Sequence, residues 1–241
     1  MIEKLRKGAF WRVRLGPHPV KGEFLSLREC RELVETCQVR LREWPFPFFR
    51  PEQFGESKDY IQYEHDGKTH KEWWRLDRAG RFEHYASLRE DDPLSKAEYE
   101  TALDLLLDET VERNLVDYSG AVGISFLLHE ITEYFTFISG YVRELPEDLT
   151  EFDVEIVLHG VRNRVLVETN FEKKWDVIYK TGQDEIQFPE KVFTRKELVE
   201  NADKLAVDTA IHFFKHFNWP DPGPEQLIEE QQRLFREPCN Y

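Results

Sequence analysis

Nowhere in these 241 residues do about 18 apolar residues follow one another, the length a membrane-crossing helix needs, so no transmembrane helix is expected. The N-terminus, MIEKLRKGAFWRVRL, has basic residues but no apolar stretch behind them, so no secretory signal is expected either. Cysteine is scarce. Cys30, Cys37 and Cys239 are odd in number and form no CxxC. On one helix, a rise of about 1.5 Å per residue would set the Cα atoms of Cys30 and Cys37 about 10 Å apart, past the roughly 7 Å limit for a disulfide. A reducing cytoplasm is the expected home.

Glycine patterns that cradle phosphate are missing. No GxGxxG, GxxxxGK[ST] or GxSxG occurs, which removes the motifs of Rossmann, P-loop and α/β-hydrolase proteins. No serine or cysteine has a base placed beside it in the sequence. Neither a cofactor nor a bound metal is expected.

Positive charge is in deficit. Lys and Arg number 33 against 47 Asp and Glu, a net charge of -14, which disfavours non-specific binding to nucleic acid. The deficit is uneven. Residues 1–50 hold eleven Lys or Arg against six Glu, a balance of +5, which leaves -19 for the remainder. A basic segment on an acidic body docks either on a partner or on its own body.

What is present is a globular composition, 40% hydrophobic and 33% charged. FWRVRL alternates as a strand does. Ser26 and Glu29 are in capping-box register, so a helix starts at SLRECRELVETC, with Leu27, Leu33 and Val34 in its buried face. QVRLREW then reads as a strand, with Val39 and Leu41 on one face and Arg40 and Arg42 on the other. Pro45 and Pro47 end its pairing. DYIQYEH, THKEWWRLD and RFEHYASL, joined around Asp66-Gly67 and Ala79-Gly80, predict an antiparallel meander from about 59 to 88. Its neighbours Trp73 and Trp74 face opposite ways, so one is buried, the other needs separate cover, and Arg75 shares the face of Trp73.

Ser95 and Glu98 predict another capped helix, over about 96–115. In GISFLLHEITEYFTFISGYV, residues Ile124, Leu127, Leu128, Ile131, Tyr134, Phe135, Ile138 and Tyr141 keep helical spacing and form a buried stripe. Ser125, His129, Thr132, Thr136 and Ser139 lie largely opposite, a hydroxyl face that would suit a small-molecule sensor. FDVEIVLHG and NRVLVET read as strands about a turn at 160–163, and KWDVIYK as a weaker third. Thr194 and Glu197 open a helix running to about 218, and PEQLIEEQQRLFRE closes as an amphipathic helix. The mixture predicts an α+β fold of antiparallel meanders packed with helices. It reads as a single domain over 1–241, with two lobes suggested at about 1–93 and about 94–241.

Three constellations bear on chemistry. His129 and Glu130 begin like a zinc-protease motif, but Glu133 stands where the second histidine is required. Asp208, His212 and His216 recur every four residues, a spacing a metal accepts. However, Lys215 beside them repels a cation, and the row reads as a solvated face. Asp153, with Glu172 and Lys174 after it, resembles a nuclease arrangement in which two carboxylates hold Mg²⁺ and the lysine helps activate water. This is the alternative reading.

QVRLREWPFPFF raises a different prospect. Trp44, Phe46, Phe48 and Phe49 are too many rings to expose together. One or two exposed beside Arg40 and Arg42 would have the composition of an interface hot spot, or of a base-stacking site. FWRVRL, SLRECRELVETCQVRLREWPFPFF and WRLDRAGRFEHYASLRED together resemble an uncharacterised bacterial region that in some chains precedes an Alba-type domain to which DNA binding is ascribed. The resemblance is clearest over roughly the first 90 residues and extends toward HEITEYFTF. No such second domain is expected before Tyr241, and the resemblance implies a sensing or docking module. The leading expectation is a non-catalytic cytoplasmic module that binds another macromolecule, a protein rather than nucleic acid or membrane. Arg40, Arg42, Trp44, Phe48 and Arg75 are its expected contacts.

Overall fold

Alternation in FWRVRL produces β1, Phe10–Pro17, which buries Trp11, Val13 and Leu15 on one side and turns Arg12 and Arg14 to the other. The structure is a computed structural model describing residues 1–20, 22–42, 44–92, 96–102, 118–168, 179–189 and 191–237. Nine further strands follow: β2 (Gly55–Glu56), β3 (Tyr60–Asp66), β4 (Lys71–Asp77), β5 (Phe82–Ser87), β6 (Gly120–Gly123), β7 (Glu151–His159), β8 (Arg164–Val167), β9 (Glu185–Gln187) and β10 (Lys191–Thr194). Among the described residues, eight strands form one antiparallel sheet in the order β10-β7-β1-β5-β4-β3-β2, with β9 beside the far end of β7. β6 and β8 pair in parallel as a separate ribbon. The fold class is α+β.

The expected meander is present as β3, β4 and β5. Its second turn needs Gly80, whose φ is 71° and where a Cβ would come within 2.6 Å of the Phe24 ring. Asp77 caps that turn by accepting from the backbone N–H of Ala79 and Arg81. Trp74 is fully buried. Trp73 faces the other way and gains its cover from the short helix α1 (Ile2–Leu5), where Met1, Ile2 and Leu5 cluster with Phe10, Tyr85 and Trp73. The ladder between β1 and β7 crosses the division suggested near residue 93, so one sheet runs through both proposed lobes.

α2 (Leu27–Cys37) has both halves of its capping box, with the Glu29 N–H donating to Ser26 Oγ and the Ser26 N–H to Glu29 Oε2. Cys30 and Cys37 are free, buried thiols, pushed by burial to about 12. Among its described residues QVRLREW forms no strand. Val39 pairs with Phe46 through two backbone hydrogen bonds, and the chain bends at Leu41, Arg42 and Trp44. Its arginines are placed by side-chain contacts rather than by strand alternation.

α3 (Ile124–Glu144) is the axis of the core. All eight stripe residues are buried, Trp11 packs edge-on against Tyr134, and Tyr141 donates to the Gly80 carbonyl. The opposite side is not a free hydroxyl face. His129, Glu130, Thr132, Glu133 and Ser139 are buried too. Thr132 and Thr136 donate to carbonyls four residues back. Such a helix, rich in aromatic and β-branched residues, is held by packing on all sides rather than by intrinsic propensity.

The helix expected over 194–218 is two, α4 (Arg195–Glu200) and α5 (Ala202–His216), broken at Asn201, whose φ is -122°. The Thr194–Glu197 capping box forms. α6 (Pro224–Arg236) begins with proline, as expected. Residues 96–102 are helical, while Ser95 and the expected continuation to 115 lie outside the described residues, as does most of KWDVIYK. The core helices α2, α3 and α5 cover one face of the large sheet, and the short α1 lies on the other. The other face carries a ladder of charge: Arg12 to Glu155 at 3.1 Å, Arg14 to Glu83 at 2.7 Å and Arg75 to Glu83 at 3.0 Å.

Candidate interaction groove

The residues expected to form one contact surface are divided among three places. Arg42 points inward. Its Nε donates to Glu133 Oε2 at 2.9 Å, its backbone N–H donates to Glu133 Oε1 at 3.2 Å, and Glu130 lies 3.7 Å away. Its side chain is 11% exposed and that of Glu133 0%. The guanidinium also stands 5.4 Å from the centre of the Phe126 ring. Burial opposes the charge on Arg42, but the two carboxylates outweigh burial and raise its pKa above the ordinary value. Burial raises the Glu130 carboxyl to about 7. Arg42 restrains that rise, while Glu90 and Glu133 add to it. An outward, partner-gripping Arg42 is therefore corrected, because its charge is spent on the chain's own helix.

Trp44 and Phe48 occupy a second place, half-buried on the helix-bearing side of the sheet. Their rings stack at 4.2 Å, and Trp44 lies 5.0 Å from His70 and 5.2 Å from His65. The backbone is fixed beneath them, with the Phe48 N–H donating to Glu72 Oε1 and Trp74 Nε1 donating to the Phe48 carbonyl, both at 2.9 Å. Glu72 is buried and holds His84 and His70, each at 2.8 Å. Burial alone would raise this carboxyl, but the two imidazoles bring it down to about 2. Phe46 is core, between His84 at 4.7 Å and Tyr134 at 4.8 Å.

Arg75 is in a third place, on the opposite face of the sheet. It pairs with Glu83 and stands over the rings of Tyr60 at 5.5 Å and Trp73 at 5.8 Å. It shares no surface with Trp44.

Arg40 alone among the five is exposed, donating to Gln38 Oε1 at 2.9 Å. It stands on the rim of a groove of about 600 Å³ between the end of α2, α3 and the α4–α5 break, closed at one end by α6. Leu41 and Val199 give the groove apolar walls, and Phe235 from α6 projects into it 36% exposed. Ser139, Gly140 and Ala202 keep the floor low. Arg143 is a second cation, donating to the Val199 carbonyl at 3.3 Å, and Glu200 and Asp203 line the far wall. The sequence reading missed Arg143, Val199 and Phe235. One signal was legible, since Ile228 and Phe235 are seven apart on α6 and both remain exposed beside a buried face of Leu227 and Leu234.

No family model, curated protein or solved structure matches this chain.

The remaining sequence candidates separate from this groove. His129 is 4% exposed and bonded to Glu230 at 3.0 Å, so it is a buried partner of α6 rather than part of an open face. His212 Nε2 donates to the Gln187 carbonyl at 2.9 Å, and Asp208 pairs with Lys204. Among the described residues no three His, Cys, Asp or Glu side chains are grouped to hold a metal. Asp153 sits on the open face of the sheet, 3.1 Å from His18 Nδ1. Its expected companions Glu172 and Lys174 lie outside the described residues. Among the described residues no helix is long and apolar enough to cross a membrane.

Proposed function

We propose that this chain is a non-catalytic module of the cytoplasm that holds a segment of another protein in the groove beside Arg40. The observation that carries the reading is the combination on one rim: an exposed arginine, a projecting Phe235 and apolar walls at Leu41 and Val199, above a floor of small residues. That composition suits a short partner segment that offers apolar side chains to the walls and an acidic group to Arg40 and Arg143. Nucleic acid is disfavoured. Glu200 and Asp203 stand in the groove, and the net charge of -14 repels phosphate. Free, buried thiols at Cys30 and Cys37 agree with a reducing compartment.

The test is photo-crosslinking in cells from position 36, an exposed groove residue, with position 58 as a remote exposed control. A protein adduct of one defined mass is expected from position 36 alone, and it should fade in Arg40→Glu and Phe235→Ala backgrounds. Equal adducts from both positions, or adducts indifferent to both substitutions, would overturn the reading.

A further inference from the structure

A second concavity, of about 620 Å³, lies at the other end of the sheet, between α1, the β3–β4 turn and the segment after β5. Its chemistry is opposite to that of the whole chain. Lys4, Lys7, Lys68, Lys71 and Lys96 line it, in a protein that carries fourteen more acidic than basic residues. Lys4 is paired with Asp66, and Lys96 with Glu100 at 3.6 Å. Lys7, Lys68 and Lys71 take part in no ion pair among the described residues, and Lys7 and Lys68 are exposed.

Two carboxylates, Asp91 and Asp92, line the concavity beside the five lysines, and Asp91 is removed from cancelling them. Asp91 is bound in bidentate fashion by Arg164 Nη2 at 2.6 and 2.7 Å and accepts the Ala9 N–H at 3.0 Å. Arg164 is itself immobilised at 5% exposure, donating to the Ala121 carbonyl at 3.0 Å and the Gly160 carbonyl at 3.2 Å. Asp91 is thus neutralised by a rigid partner from another strand, and the lysines keep a positive field focused in the concavity.

We infer that this concavity binds a compact polyphosphate group. Lys7, Lys68 and Lys71 lie outside the ion pairs, although Lys71 shares the field of Asp66 with Lys4, and they match several closely spaced phosphate charges, as point charges on flexible stems do. The volume is that of small-ligand pockets, roughly 300–1,000 Å³. No aromatic ring lines the site, so nothing there stacks a base, and the net charge of -14 disfavours a long nucleic acid. Recognition is therefore of the phosphates themselves. This site is separate from the Arg40 groove and stands or falls independently of it.

The experiment titrates inorganic tripolyphosphate into the full chain by calorimetry at low ionic strength. Saturable binding is expected, weakening steeply with added salt and falling by roughly 100-fold or more in Lys7→Gln/Lys68→Gln/Lys71→Gln, about 1 kcal/mol per lost cation. Lys204→Gln, another exposed lysine remote from the concavity, should bind as the native chain does. Thermal melting of the triple variant should match the native chain, since its substituted lysines are mainly surface groups. The inference is overturned by absence of binding, by undiminished binding in the triple variant, or by an equal loss in Lys204→Gln. Equal displacement by sulfate at matched charge, or tighter capture of a single-stranded oligonucleotide, would overturn it as well.

Discussion

Arg42 and Glu133 are 91 residues apart in the chain and 2.9 Å apart in the fold, with Glu133 wholly removed from solvent. This pair fastens the aromatic segment 38–49 to the central helix. Its partners are single residues on different elements, so its loss is not made good locally.

Arg42→Ala leaves Glu133 buried without its cation and should destabilise the chain by about 3–5 kcal/mol. Replacing both partners, as Arg42→Met/Glu133→Leu, should cost clearly less, because the charge of Glu133 goes with that of Arg42 and Glu130, already raised to about 7, takes up a proton instead. Urea unfolding of the three proteins measures the difference. Equal losses would mean that the pair contributes through shape alone.

Glu130 gives stability an unusual pH slope. Its folded pKa, raised to about 7, exceeds the ordinary carboxyl value of 4.5. Between those values the folded state keeps a proton that the unfolded state has released, so this residue makes the protein less stable as pH rises, by about 3 kcal/mol in total. Glu130→Gln should remove the slope, gaining on the native chain above about pH 8 and matching it near pH 4. Melting curves across that range would check it.

Glu72 has the reverse sign. Its carboxyl is brought down to about 2 by His84 and His70, so it stabilises the fold above about pH 4.5, and that contribution is lost as pH falls toward 2. Glu72→Gln should lose about 3 kcal/mol above about pH 4.5, with the deficit shrinking as pH falls from there toward 2. A constant deficit at every pH would show that packing, not charge, is at stake.

Gly80→Ala tests the meander turn. The positive φ and the Phe24 ring 2.6 Å from any Cβ both oppose a side chain. A loss of more than about 1 kcal/mol is expected in thermal unfolding.

Arg40→Glu and Phe235→Ala probe the groove without touching the core. Each should leave stability within about 0.5 kcal/mol of the native chain, while the yield of partner adduct falls roughly tenfold. A collapse in melting temperature would instead assign these residues to packing.

Much of the fold was legible before any coordinates. The alternation of β1, the three strands of the meander, the stripe of α3 and the capping boxes at Ser26 and Thr194 are local patterns. Each follows from the geometry of one element. The failures share one cause. QVRLREW alternates as a strand does, yet Arg42 leaves the pattern because Glu133 offers a buried carboxylate. The polar side of α3 reads as solvated, yet α6 and the 38–49 segment cover it, with Glu230 meeting His129 and Gln231 meeting Thr132. Asn201 breaks a helix whose periodicity continues across the break.

The amino-acid order by itself determined most of the segments that become strands and helices, because side-chain periodicity and end-capping act within a few residues. It determined the α+β class and the absence of phosphate-loop and nucleophile motifs as well. Only the tertiary structure decided which charges are consumed and which stay free. Arg42 and Arg40 are two residues apart and chemically identical, yet one is sealed against Glu133 and the other is open on a groove. The reason is that a charge is neutralised or left free by what lies within a few ångströms of it, and those neighbours come from distant parts of the chain.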